Sequence, residues 1–252
     1  MSPVRRPYLM VGSWLAFLEE KVAIPSVREA KNCPIHLLDD AQEEIKTYTS
    51  FDCFCYELSL DNRQYFLSSG IWYEVVHDFF VRINTAIKQI DKPKIAFLDW
   101  DGTESEGAYN LRCSEKTSLL NFDVKNIRYR GGQSQFEFCD LLHPKTRTLI
   151  FAKIASKSSG MSHLVEQVRR TSELLFSTDS GYRKELAKIF KKYHPKADTE
   201  WLKSRPRNGD WDFCLLSLGR PAAKLPFFAK CGLVRLCKDL NERGHSVSFA
   251  SV

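Results

Sequence analysis

A chain of 252 residues, 43% of them hydrophobic, is long enough to bury a sizeable core and is not a disordered or low-complexity protein. Lys and Arg number 37 against 31 Asp and Glu, and the formal charge of +6 favours anionic partners. No run is apolar and long enough for a secretory core or a membrane span, and the eight scattered cysteines read as reduced thiols, so a cytoplasmic protein away from the membrane is expected.

In chain order, residues 8–30 read as a strand or short helix interrupted at Pro25. An acidic, helix-like segment from Asp39 to Lys46 precedes a strand from Cys53 to Leu60, and Cys53-Phe-Cys55 lacks zinc-knuckle spacing. Asp61-Asn62 is a turn, which sends Arg63 to Leu67 back as a hairpin partner. Trp72, Val75, Val76, Phe79, Phe80 and Ile83 recur at helical spacing and predict a helix over 72–90, closed by Pro93.

Leu98 to Gly107 is an acidic loop, a lid or the source of Glu106, from which a helix runs toward Leu119 and Leu120. A connector with Gly131-Gly132 leads to the strand Phe136 to Leu142, a turn at His143-Pro144 and the strand Thr148 to Ile154. Ser158, Ser159 and Gly160 offer cap chemistry for a helix whose apolar face is Met161, Leu164, Val165, Val168 and Leu175. Tyr182 to Lys192 is a basic helix, Trp211 to Leu218 an apolar strand, Leu233 to Asn241 a helix and Ser246 to Val252 a last strand. The expected class is α/β or α+β, with a mixed central sheet flanked by helices. Residues 1–92 would form an N-terminal strand and helix subdomain and 93–252 the main core.

The chemistry concentrates between Glu106 and Arg207. Hydrolysis of a phosphodiester needs a divalent cation held by carboxylates, and Asp140 and Glu106 are the candidates, with Mg²⁺ or Mn²⁺ the expected ion. Lys153 ends the neighbouring strand and would steady the attacking water or the phosphorus. His163 and Gln167, four apart on one helix face with Arg170 nearby, would line the same cleft. Arg183, Lys184, Lys188, Lys191, Lys192 and Lys196 continue to Lys203, Arg205 and Arg207 with Tyr193 and Trp201 interleaved, a pattern suited to a nucleic-acid backbone and exposed bases.

Helix, strand, strand, helix, strand over 106–218, with Asp140 and Lys153 in that order, resembles the core of the restriction-endonuclease-like PD-(D/E)XK nuclease superfamily. The departure is Phe151, which stands two residues before Lys153, where the superfamily usually has an acid or amide. Glu137, three before Asp140, falls by alternation on the opposite strand face unless a bulge intervenes.

Several phrases carry a second resemblance: Trp72-Tyr73 before Val75, Glu106 with Tyr109-Asn110, Phe136 to Leu142, Lys153 with Ser162-His163-Leu164, and Leu225 to Lys230. Over residues 55–252 they are similar to a sporadically distributed bacterial family of unknown function found in mobile and phage-defence gene neighbourhoods. That resemblance implies a defence setting, a shortened form of a longer protein, and histidine in relatives where Phe151 stands here.

Three functions compete at this point. The first is a metal-dependent nuclease-like effector. The second is a non-catalytic nucleic-acid-binding or partner-recruiting module with a degenerate nuclease fold. The third is a scaffold that docks a partner subunit, a separate protein or a second copy of the chain, through Leu225 to Phe228.

Overall fold

The computed structural model describes residues 14–17, 20, 26–61, 63–128, 135–155 and 158–252. The expected interruption at Pro25, residue Asn62 of the hairpin turn and the Gly131-Gly132 connector lie outside them. The chain divides into two compact units, Met1–Phe80 and Val81–Val252.

In the first unit, helix α1 (Val27–Asn32) opens on a capping box, the Ser26 hydroxyl accepting from the Glu29 amide while the Glu29 carboxylate accepts from the Ser26 amide. Strands β1 (Pro34–Leu38) and β2 (Glu44–Thr49) form an antiparallel hairpin where an acidic helix over 39–46 was expected. The reason is local: Asp39 accepts from the Glu43 amide and Gln42 takes a positive φ of 69°, so the acidic residues make the turn. Strands β3 (Tyr56–Leu60) and β4 (Arg63–Ser68) form the expected hairpin. A third strand, β5 (Ile71–Glu74), adds to it, so Trp72 to Glu74 pair with β4 and helix α2 starts only at His77, running to Lys88. Ser69 and Gly70, both at positive φ, turn the chain there, and strand pairing overrides the helical spacing of the aromatics.

In the second unit, helix α3 (Glu106–Lys116) precedes β6 (Leu120–Asn121), β7 (Ile127–Arg128), β8 (Gln135–Phe136), β9 (Leu141–His143) and β10 (Thr148–Ile154). Helices α4 (Ser158–Leu175) and α5 (Gly181–Tyr193), strand β11 (Asp212–Leu218), helix α6 (Phe227–Glu242) and strand β12 (Ser246–Ser251) complete it. Five strands form one mixed sheet in the order β12-β11-β10-β9-β6. β10, β11 and β12 are parallel, which requires the helical crossovers between them, while β9 runs antiparallel to β10 and β6 to β9. The chain is therefore a mixed α/β protein.

Alternation along the parallel strands divides the core into two layers. Leu149 and Phe151 of β10, Phe213 and Leu215 of β11, and Val247 and Phe249 of β12 pack with apolar residues of α4, α5 and α6. Ile150, Ala152, Cys214 and Leu216 pack on Tyr109 and Cys113 of α3. The expected single strand Phe136 to Leu142 is two: β8 pairs with β7 and β9 with β10, and Glu137 to Asp140 between them lie outside any strand. Alternation thus does not apply at Glu137.

Leu225 and Phe227 are buried in the core and only Phe228 is substantially exposed, at 42%. The apolar phrase proposed to dock a partner is mostly internal packing. Among the described residues no helix is long and apolar enough to cross a membrane.

Candidate functional site

β9 pairs with β10 only at residues 148–150, which leaves the outer edge of β10 open toward its carboxyl end. Two carboxylates take over the ladder there. The Asp140 amide donates to the Ile150 carbonyl at 3.0 Å, and Asp140 Oδ2 accepts from the Ala152 amide at 2.7 Å. One step further along the same edge, Glu106 Oε1 accepts from the Ile154 amide at 2.8 Å. Amides two residues apart lie about 6.6 Å from each other along a strand, so the two carboxylates are strung side by side on one edge.

Glu106 is brought to this edge because Ser105 caps α3 with its hydroxyl on the Ala108 amide, making Glu106 the first helical residue, where the helix dipole favours a negative charge. The acidic loop before it is a built turn: Asp101 accepts from the amides of Thr103 and Glu104, and Arg112 pairs with Glu104 and donates to the Asp99 carbonyl. Tyr109 donates to the Leu98 carbonyl at 2.8 Å. Trp100 lies over Gly219, just past the carboxyl end of β11, where an added Cβ would meet the indole at 2.8 Å. Of the two expected roles for this loop, supplying Glu106 is the one its contacts account for.

Lys153 Nζ donates to Glu106 Oε2 at 2.6 Å, and the two side chains are 30% and 29% exposed. Lys153, Glu106 and Asp140 therefore gather around the end of β10. α4 begins close by, since a Cβ at Gly160 would lie 3.8 Å from Lys153 Cγ. Gln167, farther along α4, donates to Glu137 at 3.0 Å, and His163 is exposed on the same helix.

Asp140 is buried, and that loss of water pushes its carboxyl up to about 8, against the opposing hydrogen bond from Ala152. The charges of Glu137, Asp123 and Glu106 push in the same upward direction. Asp123 also touches α3: a Cβ at Gly107 would come within 3.1 Å of its Oδ2. One turn on from Glu106, Asn110 is 0% exposed and neither its Oδ1 nor its Nδ2 has a hydrogen-bond partner. The sequence placed Asn110 only in the phrase it shares with Glu106 and Tyr109, and Asp123 was not singled out. The signal available was Asn110 four residues after Glu106, which places both on one face of a helix.

Phe151 is fully buried and stacked on Phe213 at 6.4 Å, so the position of the usual acid faces the core layer under α4. Among the described residues no three His, Cys, Asp or Glu side chains group closely enough to hold a metal ion.

The basic segment separates into three parts. Lys184, Lys188, Lys191 and Lys192 recur at helical spacing on the exposed side of α5, opposite the buried Tyr182, Leu186 and Phe190, and Lys196, Lys203, Arg205 and Arg207 are exposed beyond it. Lys188 and Lys203 pair with Glu185 and Glu200, both at 2.7 Å. Tyr193 is 43% exposed, with Lys192 and Lys125 over its ring.

Arg183 does not belong to this surface. It is 3% exposed and donates to the carbonyls of Leu175 and Ser177 at the end of α4. Trp201 likewise turns inward, packing on Trp211 at 4.3 Å and Phe190 at 5.7 Å. Arg170 lies over the Phe136 ring at 5.1 Å and is otherwise exposed.

Fold and site together define a mixed α/β protein with a carboxylate and lysine cluster at the carboxyl end of its central parallel strand. The chain belongs to a family of unknown function (DUF6119), which matches residues 2–252. No curated protein and no solved structure matches it.

Proposed function

We propose that the protein is a metal-dependent, nuclease-like effector that hydrolyses phosphodiester bonds of invading nucleic acid in anti-phage or anti-plasmid defence. The observation that carries this reading is the gathering of Lys153, Glu106 and Asp140 on one open edge of β10. Strand ends of this kind are where open α/β sheets bind ligands.

The donor set suits a hard divalent cation. Asp140 sits in a dry pocket of negative potential that raises its proton affinity, and a cation relieves the same repulsion. Mg²⁺ is commonly held by one or two carboxylates with water filling the rest of its shell. Asp140 and Glu106 would hold Mg²⁺ or Mn²⁺, which when bound would supply charge to a phosphoryl oxygen and acidify a water. Lys153, paired with Glu106 beside it, offers its ammonium to a non-bridging oxygen as negative charge develops there. Gln167 and His163 on α4 face the incoming strand, and the lysine stripe of α5 holds its backbone.

Lys153→Ala is the direct test. Cleavage of single- or double-stranded DNA or RNA in Mg²⁺ or Mn²⁺ is expected to fall by a factor of about 10² or more, with folding and binding retained, because one preorganised charge contributes roughly that much. Cutting by the variant at the wild-type rate would remove Lys153 from the chemistry.

Phe151 favours a second reading, a non-catalytic nucleic-acid-binding module that recruits a partner, because its burial leaves the nuclease motif one ligand short. Here affinity survives loss of Asp140 and depends on the α5 stripe. Replacing Lys188, Lys191 and Lys192 by Gln is expected to reduce the slope of log affinity against log salt by about 3, close to one unit per phosphate contact. An unchanged slope places the binding surface elsewhere.

A further inference from the structure

Val124 breaks two local rules at once. It is a β-branched residue held in the left-handed region, at a φ of 58°, and it is 72% exposed. Glycine or asparagine takes that conformation with less strain, and a polar side chain would suit the water around it. Strained residues of this kind cluster at ligand clamps and active sites. The turn that holds Val124 lies between β6 and β7 and is fixed to the end of α5. His194 Nε2 donates to the Asn121 carbonyl at 2.8 Å, and Lys125 Nζ donates to the same carbonyl at 2.6 Å. The Phe122 ring packs on Phe190 and His194, both at 4.7 Å.

Tyr193 ends α5 beside that turn, with Lys125 and Lys192 holding their ammoniums over its ring, 5.3 and 4.8 Å from the centre. Phe122 and Phe190 are buried and Trp201 packs inward on Trp211, so of these rings Tyr193 alone stands open. Leading away from it, Lys192, Lys188 and Lys184 recur every four residues along the exposed side of α5, a row about 12 Å long. An exposed aromatic at the end of a row of cations joins a stacking surface to a track for phosphates. A duplex offers such a ring no free base face, since each of its bases is already stacked on its neighbours, whereas a single strand does. A base on the ring is held more firmly than an exposed ammonium over it, so Lys192 can leave the ring for a phosphate.

We infer that the end of α5 and the turn between β6 and β7 form a platform for single-stranded nucleic acid. One base stacks on Tyr193, Val124 gives the neighbouring nucleotide an apolar contact, and the lysine row carries the phosphates. This rests on the nucleic-acid reading of the α5 stripe and narrows its ligand to an unpaired strand. Every base has a face to stack, so the platform has no strong sequence preference.

The test is fluorescence anisotropy of the full chain with dye-labelled oligo(dT), oligo(U), a duplex of oligo(dT) with oligo(dA), and a strand of the same length whose sugars carry no bases. The wild type is expected to bind both single strands about tenfold more tightly than the baseless strand. Tyr193→Ala is expected to remove that advantage and leave the duplex affinity unchanged, while Tyr193→Phe keeps the wild-type values, because the ring and not the hydroxyl carries the stack. Val124→Gly is expected to weaken single-strand binding severalfold without lowering the melting temperature, since glycine takes the positive φ without strain. Wild-type affinity for single strands in Tyr193→Ala, or an equal loss on the duplex, overturns the inference and leaves the reading of the lysine stripe standing. Absence of nucleic-acid binding by the wild-type chain overturns both.

Discussion

Phe151→Glu, the substitution that restores the acidic position of the nuclease motif, is expected to unfold the second unit rather than to improve catalysis. Phe151 is fully buried, stacked on Phe213 and part of the layer that α4, α5 and α6 cover. Emptying a buried aromatic site alone costs roughly 3–5 kcal/mol, and an unpaired carboxylate left in the same place adds to that. Against a domain stability of about 5–15 kcal/mol the sum is large enough to abolish the folded state or leave it marginal. Circular dichroism melting of the variant checks this. A variant that melts like the wild type and cuts faster in Mn²⁺ would mean that residue 151 opens onto the site and that the nuclease motif is only one substitution from complete.

Asp140→Asn is expected to stabilise the protein in EDTA above neutral pH and to do nothing at pH 4. The carboxyl is pushed from an ordinary 3.8 up to about 8, chiefly because burial disfavours its charged form. The folded chain therefore holds a proton that the unfolded chain has released between those values, and stability falls as pH rises through that window. Below about pH 4 both states are protonated and the site contributes no pH dependence. An amide keeps an oxygen for the Ala152 amide and has no charge to bury, so its advantage should grow to a few kcal/mol by pH 8.5. Melting temperatures of the two proteins at pH 4, 6 and 8.5 decide the point. Parallel curves would mean that Asp140 is ionised and well solvated. With Mn²⁺ present the gap should close, since a bound cation favours the carboxylate and not the amide.

These two residues also mark where sequence reasoning reached and where it stopped. Asp140 and Lys153 were legible because each ends an apolar run, and chain order alone suggested that adjacent strands bring them together. Their actual link is different in kind. Asp140 fills the edge of β10 at Ala152, and Lys153 reaches Glu106 on α3. Arg183 and Trp201 looked like surface groups because their neighbours in sequence are lysines, yet helix phase turns Arg183 inward and the aromatic cluster around Phe190 and Trp211 takes in Trp201.

Local pattern by itself determined a helix from Glu106, a helix with Met161 to Leu175 on its apolar face, a helix over Tyr182 to Lys192 and the long apolar strands ending at Ile154 and Leu218. Cap residues, helical periodicity and buried parallel strands are properties of short windows, so one sequence displays them. Only the tertiary structure decided that Trp72 to Glu74 are a strand, that Phe136 to Leu142 are two, that Phe151 belongs to the core, and that Asp123 lies beside Gly107 of α3. Each of those depends on which strand edge is left unpaired and which helix covers which face. Such contacts join residues tens of positions apart, and no window of sequence contains both partners.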